Sequence, residues 1–179
     1  MNIKQHILLT GQPGVGKTTF IRKLVDRLTD LRPCGFYTVE IRESGLRKGF
    51  ALEGLDGSRG ILAHVDFRSP CRVSKYGVDV EGFDAFLRSL SLPGSACPVV
   101  IIDEIGKMEC FSVLFRAIVK SILSSDKVLV ATIAMKGGGI ISDIKQRSDI
   151  VIVELNTANR DSLVPAVLEM IRESVKKDS

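Results

Sequence analysis

No apolar run in this chain approaches the roughly 20 residues that a membrane-spanning helix needs. The opening MNIKQHILLT has a short apolar stretch but no small-residue cleavage site. A secretory leader is therefore not expected, and a cytoplasmic location is the default reading. Cysteine is sparse and scattered: Cys34, Cys71, Cys97 and Cys110 form no C-x-x-C pair, and the only histidines are His6 and His64. That spacing argues against a structural zinc site and, in a reducing compartment, against disulfides. The cysteines are expected to be small core or surface residues, and the histidines structural. A long basic block is lacking too. The net charge is +4, and the densest stretches, IRKLVDR, GLRKG and SVKK, are interrupted by acids or apolar residues. A solvated surface, or help in holding a polyphosphate, explains them better than a nucleic-acid groove. Internal repeats and low-complexity segments are also missing.

What is present is the composition of one soluble globular domain over residues 1–179, 45% hydrophobic and 26% charged. HILLTG reads as a buried strand. KTTFIRKLVDRL follows as a helix, with Phe20, Ile21, Leu24, Val25 and Leu28 at 3.6-residue spacing. Residues 34–80 read as a hairpin-rich insertion, its three strand-like runs separated by the turn sequences ESG and DGSRG. YGVDV predicts a further short strand and EGFDAFLRSL a helix. Beyond them, VVIID, KVLVATI and DIVIVEL are strands, alternating with the helical CFSVLFRAIVKSIL, a short ISDIKQRS and a final DSLVPAVLEMIRESVKK. In that last helix Val164, Leu168, Ile171 and Val175 share a face, and Pro165 is tolerable only in the first turn. Such alternation predicts a three-layer α/β fold with a mainly parallel sheet. Ligands on such sheets bind at the carboxyl ends of the strands.

Two signals converge on that edge. Gly11-Gln12-Pro13-Gly14-Val15-Gly16-Lys17-Thr18 matches G-x-x-x-x-G-K-[ST] in full, with a strand before it and a helix after it. Its glycines let the backbone turn tightly and aim successive N–H groups at an anion. Lys17 is expected to reach the β- and γ-phosphates, and the Thr18 hydroxyl to ligate Mg²⁺. The second signal is PVVIIDEIGKME, where an apolar strand runs straight into Asp103 and Glu104. A carboxylate at the tip of a core strand is costly unless something needs it there. Asp103 is expected to help hold magnesium, and Glu104 to orient and polarise water for attack on the γ-phosphate. A strand-end surface acid is the alternative for Glu104. Thr132, at the end of VLVATI, is either a polar group sensing the γ-phosphate or simply a β-branched strand residue. Asn159-Arg160-Asp161 fails the Asn-Lys-x-Asp pattern of guanine-specific switch proteins, since Ser162 holds the fourth place. Arg160 either packs against a base or sugar or merely flanks the helix start.

GQPGVGKTT, GFYTVEIRESGLRKGF, VIIDEIGKME and NRD, in that order, resemble the small P-loop nucleoside-triphosphatase family of thermophilic prokaryotes, which includes the human cancer-related nucleoside triphosphatase. The resemblance covers nearly the whole chain. It implies a RecA-like (ASCE) P-loop fold and Mg²⁺-dependent hydrolysis of ATP, GTP, CTP or UTP to diphosphate and phosphate. It places nucleotide binding on Gly11–Thr18 and on Val100, Ile101, Ile102, Asp103, Glu104, Ile105, Gly106 and Lys107, with Glu104 the catalytic acid/base.

Efficient hydrolysis on such folds uses an arginine finger, worth about 10³–10⁵ in rate. The choices in cis are Arg42, Arg47 and Arg160. The expectation is that Arg47 approaches the phosphates as the hairpin folds over the site, an exposed turn-flanking cation being the alternative. Lys107 is a second cation suited to orienting Glu104. Two other functions fit the same residues: a small-molecule kinase with GLRKG and CRVSK as a lid, and a nucleotide-dependent switch or assembly subunit using the hairpin as partner surface. A water-polarising Glu104 leans against the kinase.

Overall fold

A computed structural model describes residues 5–176. β1 (His6–Thr10) runs through the glycine loop into α1 (Lys17–Asp26). β2 (Cys34–Glu43), β3 (Leu46–Gly54) and β4 (Arg59–His64) follow as a meander, then a two-residue β5 (Arg72–Val73) and β6 (Tyr76–Val78). The remaining order is α2 (Val80–Leu90), β7 (Val99–Ile105), α3 (Val113–Leu123), β8 (Val128–Ile133), α4 (Ile140–Lys145), β9 (Ile150–Glu154) and α5 (Val164–Lys176). The described strands form one sheet ordered β5-β6-β4-β3-β2-β7-β8-β1-β9.

β9, β1, β8, β7 and β2 pair in parallel. The insertion continues the same sheet in antiparallel fashion. β2 belongs to both halves. Residues Cys34–Tyr37 pair with β7, whereas Phe36–Glu43 pair with β3, so the strand runs on past the end of β7 as a projecting arm. The six residues beyond Tyr37 make that arm about 20 Å long.

Strand periodicity sorts the core into two faces. Ile7, Leu9, Val99, Ile101, Val128 and Val130 pack under α1 and α5. Leu8, Val100, Ile102, Leu129 and Ala131 pack under α2, α3 and α4. Both faces are covered, which is why these strands read as unbroken apolar runs. Full burial of each such side chain contributes about 1.5–3 kcal/mol. Phe83 anchors the α2 side, its ring 5.9 Å from that of Phe36 and 5.5 Å from that of Phe115. On α5, Pro165 falls in the first turn. The buried stripe is Val164, Val167, Ile171 and Ser174, with Leu168 and Val175 at its edge. Lys177 of the predicted helix and residues 1–4 of the opening stretch lie outside the described residues.

One expectation is overturned. Cys34 and Cys97 form a disulfide, their α-carbons 6.0 Å apart. They are 63 residues apart in the chain, but parallel pairing sets Cys34 opposite Val100 and so brings the start of β2 beside the loop that enters β7. Cys71 and Cys110 are free and half-buried. The histidines are structural: His6 Nδ1 accepts the Leu129 N–H at 3.1 Å, and His64 Nδ1 accepts that of Asp66 at 3.3 Å. Among the described residues no helix is long and apolar enough to cross a membrane.

Candidate active site

The loop after β1 closes on itself, Val15 N–H donating to the Gln12 carbonyl at 3.2 Å. Gly11 sits at φ 153°, and a β-carbon there would lie 2.5 Å from the Leu155 carbonyl oxygen, so no side chain fits. Helices α2 and α3 are capped by side chains, Asp79 accepting from the Gly82 N–H and Ser112 from that of Phe115. α1 differs. Its N-cap is Gly16 and no side chain caps it, so the first-turn N–H groups and the positive end of the helix face the loop. Lys17 bridges that loop, Nζ donating to the carbonyls of Gly11 at 3.0 Å and Gln12 at 3.3 Å.

β8 lies between β1 and β7 in the sheet. Leu9 pairs with Thr132, and Tyr37 of β2 pairs with Asp103. The interposed strand therefore carries Thr132 to Asp103, and its hydroxyl donates to Asp103 Oδ1 at 2.6 Å. Thr132 is thus a buried strand residue whose hydroxyl is bonded to the aspartate. Asp103 is 3% exposed, and its other oxygen, Oδ2, is buried with no hydrogen-bond partner. Burial raises the Asp103 pKa. The Thr132 and Thr18 hydroxyls, then Lys17 and Arg22, pull the other way. Glu104 is half-buried. Its pKa is also raised by burial, opposed by the Lys17 ammonium and reinforced by Asp103.

An open helix end, a lysine spanning the loop and two strand-tip carboxylates thus share one edge of the sheet. Residues 6–168 match the NTPase family model. The nucleoside-triphosphatase THEP1 of Thermotoga sp. (strain RQ2) is 47% identical over 167 residues, spanning 93% of this chain and 95% of that one. The chain belongs to the THEP1 nucleoside-triphosphatase family. The human cancer-related nucleoside-triphosphatase is 36% identical over 192 residues, spanning 96% of this chain and 99% of that one. The crystal structure of THEP1 from Aquifex aeolicus superposes with a TM-score of 0.84 at 34% identity, over 93% of this chain and 99% of that one. The P-loop α/β fold is therefore the THEP1 fold.

Within this THEP1 family member, Val100, Ile101, Ile102 and Ile105 are fully buried. They serve the site as the strand that presents Asp103 and Glu104. Lys107 is exposed, and the cation acting on Glu104 is Lys17. Of the three arginines, Arg160 is the one brought to the glycine loop, Nη1 donating to the Val15 carbonyl at 2.9 Å. Arg42 is held in the arm by Glu40 and by the Gly45 carbonyl. Arg47 does not approach the loop. It donates to the Tyr76 hydroxyl at 2.9 Å and to Glu40 at 2.8 Å, with its guanidinium 5.2 Å from the Phe50 ring centre. Being paired with Arg42, it sits about 16 Å along the arm from the level of Tyr37. Steady-state kinetics of Arg47→Ala should accordingly show unchanged kcat and KM; a tenfold fall in kcat would restore the finger.

Two groups near the site were not legible in the motifs. Arg22, one turn beyond Thr18, lies 4.4 Å from the centre of the Tyr37 ring and pairs with Glu53 at 2.8 Å. The Tyr37 hydroxyl, pushed up to about 12 by burial, stays a neutral phenol. Glu109 is only 5% exposed. Its signal in the sequence is an acid set directly before apolar residues in MECF.

Proposed function

We propose that the protein hydrolyses nucleoside triphosphates to diphosphate and phosphate. The observation that carries this reading is the division of labour between the two strand-tip acids. Asp103 is buried and tied to Thr132, whereas Glu104, beside it, makes no such bond to the strand and lies within the field of Lys17. The uncapped start of α1 and Lys17 bind and neutralise the phosphates. Glu104 orients a water molecule in line with the terminal phosphate and takes up its proton as attack proceeds. The raised Glu104 pKa suits that task, since a carboxylate of higher pKa is the stronger base.

Magnesium fits the residues present. Asp103 Oδ2 is a buried oxygen lacking a partner, the Thr18 hydroxyl lies beside the same carboxyl, and both are hard ligands. Among the described residues no three His, Cys, Asp or Glu side chains cluster as a metal site, so most ligands would come from phosphate and water. Held by Thr18 and Asp103, the ion would neutralise charge on the β- and γ-phosphates.

The surroundings of the loop support broad base tolerance. The cavity beside it, of about 250 Å³, is lined by Gly16, Thr19, Phe20, Lys23, Arg160 and Asp161. Lys23 and Asp161 pair with each other at 2.8 Å, and Arg160 is engaged by the loop carbonyl. No buried polar side chain among these is set to read a base edge. Phosphate release from the magnesium complexes of ATP, GTP, CTP and UTP, with no acceptor added, tests both statements. The four kcat/KM values should fall within about 10²-fold, where a base-reading pocket would separate them by about 10⁴ or more. Tight nucleotide binding without phosphate release by the wild-type protein would overturn hydrolysis and direct attention to a phosphoryl acceptor.

A further inference from the structure

Behind Glu104 stands a second glutamate that the mechanism above does not use. After β7 the chain turns at Gly106 and enters a one-turn 3₁₀ helix, Glu109–Phe111, whose Cys110 N–H donates to the Gly106 carbonyl at 3.1 Å. The turn folds the Glu109 side chain inward, to 5% exposure. Its carboxyl group is turned toward the backbone N–H groups of Gly106 and of Glu109 itself. A β-carbon at Gly106 would meet Glu109 Oε2 at 2.9 Å and Glu104 Cδ at 3.5 Å. Both side chains thus flank the space in front of the Gly106 α-carbon, which a β-carbon there would partly fill.

The electrical setting is as constrained as the steric one. Burial pushes the Glu109 carboxyl up to about 8, and the charges of Glu104 and Asp103 add to that effect. A neutral carboxyl can lie against Glu104 without repelling it, and its carbonyl oxygen still accepts from the turn.

We propose that Glu109 is a positioning residue for the hydrolytic step: by gripping the Gly106 turn and walling one side of Glu104, it aims that side chain at the attacking water. The assignment rests on the triphosphatase reading. It predicts that what matters at position 109 is a neutral acceptor of the right length, and neither a charge nor mere volume.

Three variants separate these possibilities in steady-state kinetics with a magnesium nucleoside triphosphate. Glu109→Gln keeps the acceptor and neutrality and should retain most of the turnover. Glu109→Met fills the space without an acceptor and should lose about 10²-fold in kcat at unchanged KM, since a displacement of about 1 Å costs that much. Glu109→Asp withdraws the acceptor by one methylene and should fall in kcat with KM unchanged, which keeps the test alive if the Met variant does not fold. Wild-type kcat in Met and Asp would reduce Glu109 to packing and overturn the assignment. So would a Gln variant as slow as Met, which would make charge the operative property. Absence of phosphate release in the wild type would remove the triphosphatase reading itself, whereas release by wild type and Met alike would remove this assignment alone.

Discussion

Replacing Glu104 with glutamine should lower phosphate release by about 10²–10⁴-fold, the usual contribution of a positioned general base. The amide keeps the size of the side chain and its place beside Gly106, but it cannot accept a proton from water. Nucleotide affinity should hold or improve, because burial already disfavours charge at this position and glutamine removes that charge. The check is paired: equilibrium binding of the magnesium nucleotide, and single-turnover phosphate release on the same preparation. A variant that binds normally and stops releasing places Glu104 at the chemistry. One that releases at the wild-type rate would return Glu104 to the role of a strand-end acid.

Lys17→Ala acts on the other side of the reaction and should be the more severe change for binding. The ammonium bridges the carbonyls of Gly11 and Gln12, so it is held over the loop before any ligand arrives. Each charged hydrogen bond to a phosphate oxygen contributes about 1.5–3 kcal/mol. Loss of the ammonium should raise Kd for the nucleotide by about 10–10²-fold and lower kcat/KM by about 10³-fold, as removal of one electrostatic donor does elsewhere. The melting temperature should barely move, because these bonds are exposed or half-buried and belong to the loop rather than to the core. Lys17→Arg should not rescue: a guanidinium is a wide planar fork, where the loop here closes on a compact point charge. Calorimetric titration with the non-hydrolysed diphosphate distinguishes lost affinity from lost turnover.

The parts of the site visible in the sequence are those written locally. The glycine loop carries its own backbone geometry and its own ligand chemistry, and Asp103–Glu104 is conspicuous because charge ends an apolar strand. Eight of the nine described strands and all five α-helices are legible for the same reason, the two-residue β5 being the exception. What sequence left open depends on register. Thr132 meets Asp103 only because β8 inserts between β1 and β7. The Cys34–Cys97 pairing waits on the parallel alignment of β2 with β7. Arg47, expected to approach the phosphates, is held instead by Tyr76, a residue 29 positions away on another strand. Glu109 was hidden differently. Its neighbour Glu104 is close in the chain, but a sharp turn at Gly106, rather than any periodic pattern, brings the two acids to one α-carbon.

The sheet order has a consequence for how the protein is made. β1, with the glycine loop behind it, is translated before the other described strands, yet its two neighbours in the sheet are β8 and β9, which come after all the others in chain order. At roughly 5–20 residues per second, the loop strand waits several seconds for both its hydrogen-bonding edges. Meanwhile β2, β3 and β4 can zip together as a meander, because their contacts are local. The insertion is thus positioned to form early and to receive β7 as a template edge, whereas the binding loop gains a rigid floor only once β8 and β9 have been made. Bound nucleotide can therefore stabilise the finished molecule by mass action but gives little help to the growing chain.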